Sequence, residues 1–151
     1  MATSTTNGFP YPLGTDPVQD GDDTIKALAQ AIDAKLMPTA WVNIALNTNF
    51  TARAGYQVPA HRVFPDGRVE LRGGVHKATS MVSGDFPFLT LPTTVKPTTP
   101  VILTIGVTRL SGVTAATSGR LDIDVNGKGT LLLVDANASN DFSLDGVFFY
   151  R

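Results

Sequence analysis

The clearest structural signal in the chain lies at residues 119–134, which read GRLDIDVNGKGTLLLV. Apolar and acidic side chains alternate over residues 121–125, so this segment predicts a strand with one buried and one solvated face. Asn126 and Gly127 follow, and an Asn-Gly pair readily adopts the positive φ angles of a two-residue hairpin turn. Residues 130–134 are again rich in apolar residues. The stretch therefore predicts an antiparallel β-hairpin.

Similar strand patterns recur from Trp41 to the end of the chain. Runs rich in β-branched and aromatic residues are separated by Gly, Pro, Asn or Asp, without an intervening helical pattern. Eight or nine short strands in about 110 residues are typical of an antiparallel sandwich, so we predict a mostly β protein with a jelly-roll-like β-sandwich head over residues 39–151. Gly73-Gly74 predicts a bulge or a close backbone approach. The predicted strand segments are WVNIAL, YQV, RVFPDGRVELRGGV, FPFLTLP, PVILTIGVTRL, GRLDIDVNGKGTLLLV and GVFFYR.

Two segments of different character precede the predicted head. Residues 1–21 are rich in Thr, Gly, Pro and Asp, and their prolines favour extended backbone, so we predict an extended arm. Residues 22–38 predict one short helix. It has candidate capping side chains at 22–24, continues through the helix formers TIKALAQAIDAKL and ends at Pro38.

The predicted helix carries one apolar stripe, whose members recur at spacings of three and four residues. The stripe could pack on the protein's own domain or form a short parallel coiled coil. A helix of about 13 residues is marginally stable alone in water, so the stripe must be buried against something. One and a half heptads do not fix the number of strands in a coiled coil. The stripe residues are our candidate oligomerisation residues: Ile25, Leu28, Ala29, Ile32 and Leu36.

Composition and charge exclude several classes of partner. The 151 residues include 12 Lys and Arg, 13 Asp and Glu, and no cysteine, with a formal net charge of −1. This balance provides no overall attraction to nucleic acid or to an anionic membrane, so we expect neither partner. The absence of cysteine excludes disulfides, zinc-thiolate sites and a cysteine nucleophile. We expect no signal peptide and no membrane insertion, because the sequence shows neither pattern.

The sequence displays no catalytic, cofactor-binding or metal-binding constellation. Residues 122–127 match the opening of a calcium loop, but Leu133 occupies the position of the bidentate Glu, so the hairpin interpretation is favoured. His61 and His76 lie among basic residues, which are unfavourable neighbours for a metal cation. Most Asp residues fall in turn contexts, and no nucleophile elbow or phosphate-binding loop occurs. We therefore expect no enzyme activity, no cofactor and no metal.

Two weaker binding patterns remain. Arg62, Arg68 and Arg72 share strand-like spacing with His76 and could form a basic stripe for an anionic ligand, although such residues are more often solvated or ion-paired. Aromatic residues with a polar group can stack on sugars, and the sequence offers three of them. The position of Trp41, shortly after the predicted helix and Pro38, favours packing at the junction between helix and head. These residues are Trp41, Tyr56 and Tyr150.

Two parts of the sequence resemble the trimeric fibre and tail-tip proteins of tailed bacteriophages, a group that includes minor tail, receptor-binding and head-fibre proteins. The first is FPYPLGTDPV at 9–18 followed by IKALA at 25–29. The second is similar to the pattern of their carboxy-terminal β heads. It consists of WVNIAL at 41–46, Tyr56, FPDGRVELRG at 64–73, LTLP at 89–92 and Pro97.

The resemblance implies a homotrimer in which residues 1–21 attach to other virion proteins, residues 22–38 form a helical trimerisation stalk and residues 39–151 form the head. It implies a virion structural protein, made in the host cytoplasm, whose heads attach the particle to a host cell-surface glycan. No receptor-binding residue is assigned. The small, polar loops at 111–119 and 135–145 are the candidate positions, because recognition residues concentrate in loops.

Three alternatives stay open at this point. The chain could decorate a capsid or a tail without binding a host, or it could be a monomeric carbohydrate-binding module. A glycan-cleaving or esterase enzyme would need a carboxylate pair or a Ser-centred site that the sequence does not display. Solution mass separates the module from the fibre, and turnover on host-wall material would reveal the enzyme.

Overall fold

The computed structural model describes residues 2–3, 9–11, 21–81, 83–109, 117–133 and 139–151. The chain forms two units, Met1–Pro38 and Thr39–Arg151. The first unit contains β1 (Ala2–Thr3), β2 (Pro10–Tyr11) and helix α1 (Gly21–Leu36). The strands of the second unit are β3 (Val42–Asn43), β4 (Phe50–Ala52), β5 (Ala60–Val63), β6 (Arg68–Arg72), β7 (Gly74–Met81), β8 (Gly84–Thr90), β9 (Val101–Arg109), β10 (Thr117–Ile123), β11 (Lys128–Leu133), β12 (Ser139–Ser143) and β13 (Val147–Tyr150).

Helix α1 begins at Gly21, slightly before the start that the sequence predicts. Asp22 and Asp23 therefore lie in its first turn and not at the cap, where their negative charges are favourable near the helix N-terminus. The described part of the predicted arm forms a short antiparallel pair between β1 and β2. Strand β2 packs against α1, with Pro10 buried, and Lys35 Nζ lies 5.5 Å from the centre of the Phe9 ring. Among the described residues, no helix has both the length and the apolar content needed to span a membrane.

The second unit is built from two antiparallel sheets. One sheet has seven strands in the order β4-β7-β12-β9-β10-β11-β8, and the other has four in the order β13-β6-β5-β3. The hairpin predicted at 119–134 is confirmed, since Ile123 of β10 pairs with Gly129 of β11 and the turn places Gly127 at a φ of 82°. The chain passes from the four-stranded to the seven-stranded sheet at Gly73, between β6 and β7.

One hydrophobic core is shared by both sheets. The four-stranded sheet contributes Leu71 and Phe149, which are 0% and 4% exposed. Three phenylalanines of the seven-stranded sheet form an aromatic cluster in the same core, and the rings of Phe88 and Phe142 meet edge to face at 4.7 Å between centroids. Phe50 lies 6.0 Å from Phe88 and completes the cluster. The predicted fold class, a mostly β antiparallel sandwich with one short helix, is confirmed.

Two predicted elements of the head are wrong. The segment YQV at 56–58 is not a strand but part of the connection from β4 to β5, and Gln57 O accepts a hydrogen bond from Gly74 N at 3.1 Å. The predicted loop at 135–145 instead contains β12, which lies between β7 and β9. The sequence SNDFS hides this strand, because only Phe142 turns an apolar side chain into the core.

Gly73 occupies the tightest backbone approach in the sandwich. Its φ is +103°, and a Cβ atom there would lie 2.7 Å from backbone atoms of Gln57, Val58 and Pro59, so the close approach predicted at Gly73-Gly74 is confirmed. We expect Gly73→Ala to lower the free energy of unfolding by about 3 kcal/mol, because backbone cannot yield as a flexible side chain can. Urea unfolding measures this loss.

Gly67→Ala is the matched control for this change. Gly67 has a similar φ of +86°, but a Cβ atom there meets nothing within 4 Å. The control should therefore lower the free energy of unfolding only by the cost of placing a Cβ atom at a positive φ, about 1 kcal/mol. Equal losses in the two variants would show that the close approach at Gly73 does not contribute.

Candidate functional site

The calcium-like segment at 122–127 forms the turn of a hairpin. One carboxylate oxygen of Asp124 accepts hydrogen bonds from the backbone N–H groups of Lys128 at 2.9 Å and Asn126 at 2.8 Å. The bond from Lys128, followed by that from Asn126, holds the pKa of the Asp124 carboxyl below its ordinary value. Asp122 is paired with Arg120. These carboxylates therefore stabilise the hairpin, and the described residues contain no group of three potential metal ligands.

The two histidines lie in different sheets. His76 of β7 is in the seven-stranded sheet, where its Nδ1 lies 2.8 Å from Asp141 Oδ1, and Arg53 Nε lies 3.5 Å from the other oxygen of that carboxylate. His61 of β5 is in the four-stranded sheet, opposite the buried Leu71, and is only 5% exposed. The predicted basic stripe is therefore wrong in one member, because His76 does not share a sheet with the three arginines.

Burial lowers the pKa of His61, and its Nδ1 has no hydrogen-bond partner in the described part of the chain. The unfolded chain therefore binds a proton near pH 6.5 more readily than the folded chain does. This contribution to stability is complete above about pH 6.5 and is lost as the pH falls from there towards the lowered pKa. We expect the urea midpoint to decrease between about pH 7.5 and about pH 5.5, and His61→Leu to reduce that decrease. An identical pH profile in His61→Leu would contradict this role.

The three arginines alternate with aromatic rings on the outer face of the four-stranded sheet. Strand alternation places Arg68, Glu70 and Arg72 of β6 on the face opposite Val69 and Leu71, which are fully buried. We call this surface the arginine–aromatic ladder, and its members are Trp41, Arg62, Phe64, Arg68, Arg72 and Phe148.

Each guanidinium of the ladder lies over at least one ring. Arg72 is 4.1 Å from the centre of Trp41, and Arg62 lies between Trp41 at 4.6 Å and Phe64 at 4.9 Å. Arg68 lies 4.1 Å from the same Phe64 ring. Cation–π contacts of this kind favour Arg, whose planar group can stack on an aromatic face. The ladder therefore fixes three long side chains in one row.

The ladder is only partly neutralised. Arg62 Nε pairs with Glu70 at 2.7 Å, whereas Arg68 and Arg72 form no ion pair within the described residues, and their Nε atoms are buried without an acceptor there. A cavity of about 210 Å³ opens beside Arg62, Arg68 and Glu70, and it is also lined by Phe64, Gly146 and Phe148. The arrangement combines positive charge, aromatic surface and a concave space.

The three predicted sugar-stacking residues are in different surroundings. Trp41 lies between Arg62 and Arg72, so two guanidinium groups contact its ring. Tyr56 is covered by Arg53 at 4.2 Å and is 52% exposed. Tyr150 of β13 is 62% exposed. Trp41 therefore belongs to the ladder, and the other two are surface residues.

The predicted receptor-binding loops lie partly outside the described residues. Positions 110–116 and 134–138 are not described, whereas 117–119 belong to β10 and 139–143 to β12. The predicted boundaries of both loops are therefore too wide. Gly119 is buried, and a Cβ atom there would lie 2.6 Å from Leu131 Cδ1.

A cavity of about 470 Å³ lies beside the connection from β8 to β9, a position that the sequence did not suggest. Arg151 Nη1 donates to the carbonyl of Thr94 at 2.8 Å, and Leu91 N donates to Gly127 O at 2.8 Å. The Thr- and Pro-rich composition of residues 92–100 indicates a connection between strands, but it does not indicate a cavity. The lining residues are Thr93, Thr94, Lys96, Pro97, Thr98, Val125, Asn126 and Arg151.

The predicted oligomerisation stripe of α1 has a covered side and an uncovered side. Leu28 and Ile32 are half-buried. Ile25 and Leu36 are 66% and 68% exposed, and Ala29 is also exposed. A single copy of the chain therefore leaves much of the stripe in contact with solvent.

The chain is similar in structure to the receptor binding protein of Listeria phage PSA. The two chains superpose with a TM-score of 0.64 at 19% sequence identity, over 90% of this chain and 80% of that chain. No protein-family model matches the sequence, and no curated protein sequence matches it. At this level of identity, the likeness shows a shared fold.

Proposed function

We propose that the chain is a homotrimeric component of a bacteriophage virion that binds a host cell-surface glycan and has no catalytic activity. The observation that carries this proposal is a fold shared over 90% of the chain with a protein named as a phage receptor binding protein. The resemblance of the sequence to phage fibre and tail-tip proteins points in the same direction. Fold alone does not determine function, so the proposal needs support from particular residues.

The exposed side of α1 supports the trimer. Ile25 and Leu36 are 66% and 68% exposed, although exposed apolar side chains at helical spacing gain stability from burial. Three parallel copies of α1 would bury these side chains against one another, as in a coiled coil. A 16-residue helix also gains stability from such packing, because isolated helices of this length are marginal in water.

A trimer also suits the attachment of a virion to glycans. The three identical sites of one trimer can bind a repeated surface ligand at the same time. The second and third contacts are then intramolecular, which raises the apparent affinity. Each site can then have low affinity of its own. The proposed attachment of residues 1–21 to other virion proteins would supply the connection to the particle.

The contacts of three acidic residues of the head support binding without catalysis. Glu70 is paired with Arg62, and Asp141 with His76. Asp145 accepts a hydrogen bond from the backbone N–H of Gly73 at 2.8 Å. Since a glycosidase needs a pair of carboxylates free to act on substrate, we assign these groups to structural roles.

Binding of the labelled full chain to isolated bacterial cell envelopes tests the proposal. We expect saturable binding that periodate treatment of the envelopes abolishes, because periodate cleaves vicinal diols of sugars. We also expect no release of reducing sugar on prolonged incubation. A trimer that binds no envelopes would contradict receptor binding and favour a decoration protein, and release of sugar would contradict the non-enzymatic role.

A further inference from the structure

We infer that the arginine–aromatic ladder is the glycan-binding surface and that its ligand is an acidic polysaccharide whose anionic groups bind Arg68 and Arg72. This inference rests on the proposed function and deepens it by assigning a site and a ligand class. The ladder contains the three arginines of the basic stripe that the sequence predicted, but not His76. Its aromatic members are Trp41, Phe64 and Phe148.

Uncompensated charge is the first argument. The outer face carries three arginines and one paired carboxylate, Glu70, which neutralises Arg62. Asp66 is the other acidic residue beside Arg68, but its carboxylate accepts a hydrogen bond from the Arg68 backbone N–H at 3.0 Å and forms no ion pair with the guanidinium. Two positive charges therefore remain available to an anion within the described surface.

Preorganisation of the arginines is the second argument. Free arginine side chains lose considerable rotamer entropy when they bind a ligand. Here Phe64 holds Arg68, and Trp41 holds Arg72, each at 4.1 Å, without using a carboxylate to do so. The N–H groups that the rings do not cover can therefore bond to an incoming carboxylate or phosphate oxygen at little entropic cost.

The spacing of the charges favours a polymer over a small anion. Arg68 and Arg72 lie on the same face of β6, four residues apart, which separates their Cα atoms by about 13 Å along the strand. A monovalent small anion neutralises only one of the two charges, whereas a chain with repeated acidic groups can contact both positions at once. The 210 Å³ cavity beside Arg68 provides a concave space along this line.

Aromatic surface favours a saccharide chain over other polyanions. Phe148 borders the cavity and is 55% exposed, and Tyr150 on the same strand is 62% exposed. Aromatic rings can pack against the apolar C–H faces of sugars, and the Tyr150 hydroxyl adds a polar group at this surface. The net charge of −1 gives no long-range attraction to any polyanion, so binding depends on the local charges of Arg68 and Arg72. The comparison with an oligonucleotide below separates nucleic acid from polysaccharide. A second copy of the chain is the competing occupant, because Arg, Trp and Phe are enriched at protein interfaces. The solution mass of the variant described below separates the two occupants.

The test is a titration of the full chain with polygalacturonate at low salt, measured by isothermal titration calorimetry. We expect saturable binding that weakens as salt is added, and no binding to neutral dextran of similar length. Arg68→Gln with Arg72→Gln should weaken the affinity at least tenfold. The matched control is Arg120→Gln with Lys128→Gln, which removes two positive charges from the other sheet and should change the affinity less than about twofold.

Phe148→Ala separates sugar recognition from charge alone. It should weaken binding of polygalacturonate several-fold and leave binding of inorganic polyphosphate unchanged, because polyphosphate has no sugar face. Equal effects on both ligands, or equal affinity of the unmodified chain for polygalacturonate and a single-stranded oligonucleotide, would overturn the assignment to a polysaccharide.

Three further outcomes would overturn the inference. Unchanged affinity in the Arg68→Gln, Arg72→Gln variant would exclude the ladder as the site, and a change in its solution mass would show that the ladder is a contact between copies. Envelope binding that persists in this variant contradicts the ladder while leaving the proposed function intact. Absence of envelope binding by the unmodified trimer contradicts the proposed function itself, so the two failures are distinguishable.

Discussion

Ile25→Asp combined with Leu36→Asp is expected to convert the proposed trimer into a monomer. Both side chains are about two-thirds exposed in the single chain, so the changes remove little packing within one copy. In a three-stranded bundle they would place several carboxylates close together in an apolar interface, where unpaired buried charge costs several kcal/mol per ion. Size exclusion with light scattering should show the mass falling from near three times 16.0 kDa to 16.0 kDa.

Gln30→Asp combined with Ala34→Asp is the matched control. Both residues are exposed and lie on the side of α1 opposite Ile25, so the control adds the same charge to the same helix. It should remain trimeric. Trimeric mass and an unchanged melting temperature in the Ile25→Asp, Leu36→Asp variant would exclude α1 as the site of association.

Phe142→Ala has the second large expected effect, a loss of about 3–5 kcal/mol in the free energy of unfolding. Phe142 is 1% exposed and contacts Phe88 edge to face at 4.7 Å, with Phe50 at 6.4 Å. Truncation leaves a cavity at the centre of the sandwich and removes two favourable ring contacts. Since single domains are stable by only about 5–15 kcal/mol, the variant should unfold at a much lower urea concentration.

Phe148→Ala is the comparison for this measurement, because the same truncation occurs at a ring that is 55% exposed. Its distant contact with Arg68, at 5.9 Å, contributes little, and the expected loss is below about 1 kcal/mol. Similar losses for the two phenylalanines would mean that the aromatic cluster does not stabilise the core as the structure indicates.

Local sequence patterns predicted the fold class because the strands of the head carry their own signals. The hairpin at 119–134 combines a period-2 alternation with an Asn-Gly turn, and both signals act within a few residues. Strand β12 lacks such a signal, since its pairing with β7 and β9 supplies the order that SNDFS does not encode. The segment at 56–58 shows the opposite case, in which β-forming residues occupy a connection that passes close to Gly73.

The sequence predicted only part of the candidate site. Alternate spacing identified Arg68 and Arg72 on one face of a strand, and this inference needs only local geometry. Their stacking partners come from other segments, with Trp41 before β3 and Phe148 in β13, so long-range sheet pairing brings them together. His76 was wrongly grouped with the arginines, because the chain changes sheets at Gly73 and periodicity does not register that change.

The helix presents a similar division. Spacing identified the apolar stripe, but the identity of its covered members depends on how residues distant in sequence pack against α1. Leu28 and Ile32 are half-buried in one copy, while Ile25 and Leu36 are left exposed. Assembly of three copies is the proposal that gives these exposed side chains a partner.

Competition for virus adsorption tests the central claim most directly. Cells of the bacterium that the proposed virion infects are incubated with the purified, unmodified protein, and the adsorption rate of that phage is then measured. We predict a concentration-dependent decrease in this rate, and a much weaker decrease with the dissociated Ile25→Asp, Leu36→Asp variant, because avidity requires linked sites. Unchanged adsorption in the presence of a saturating excess of folded trimer would contradict receptor binding.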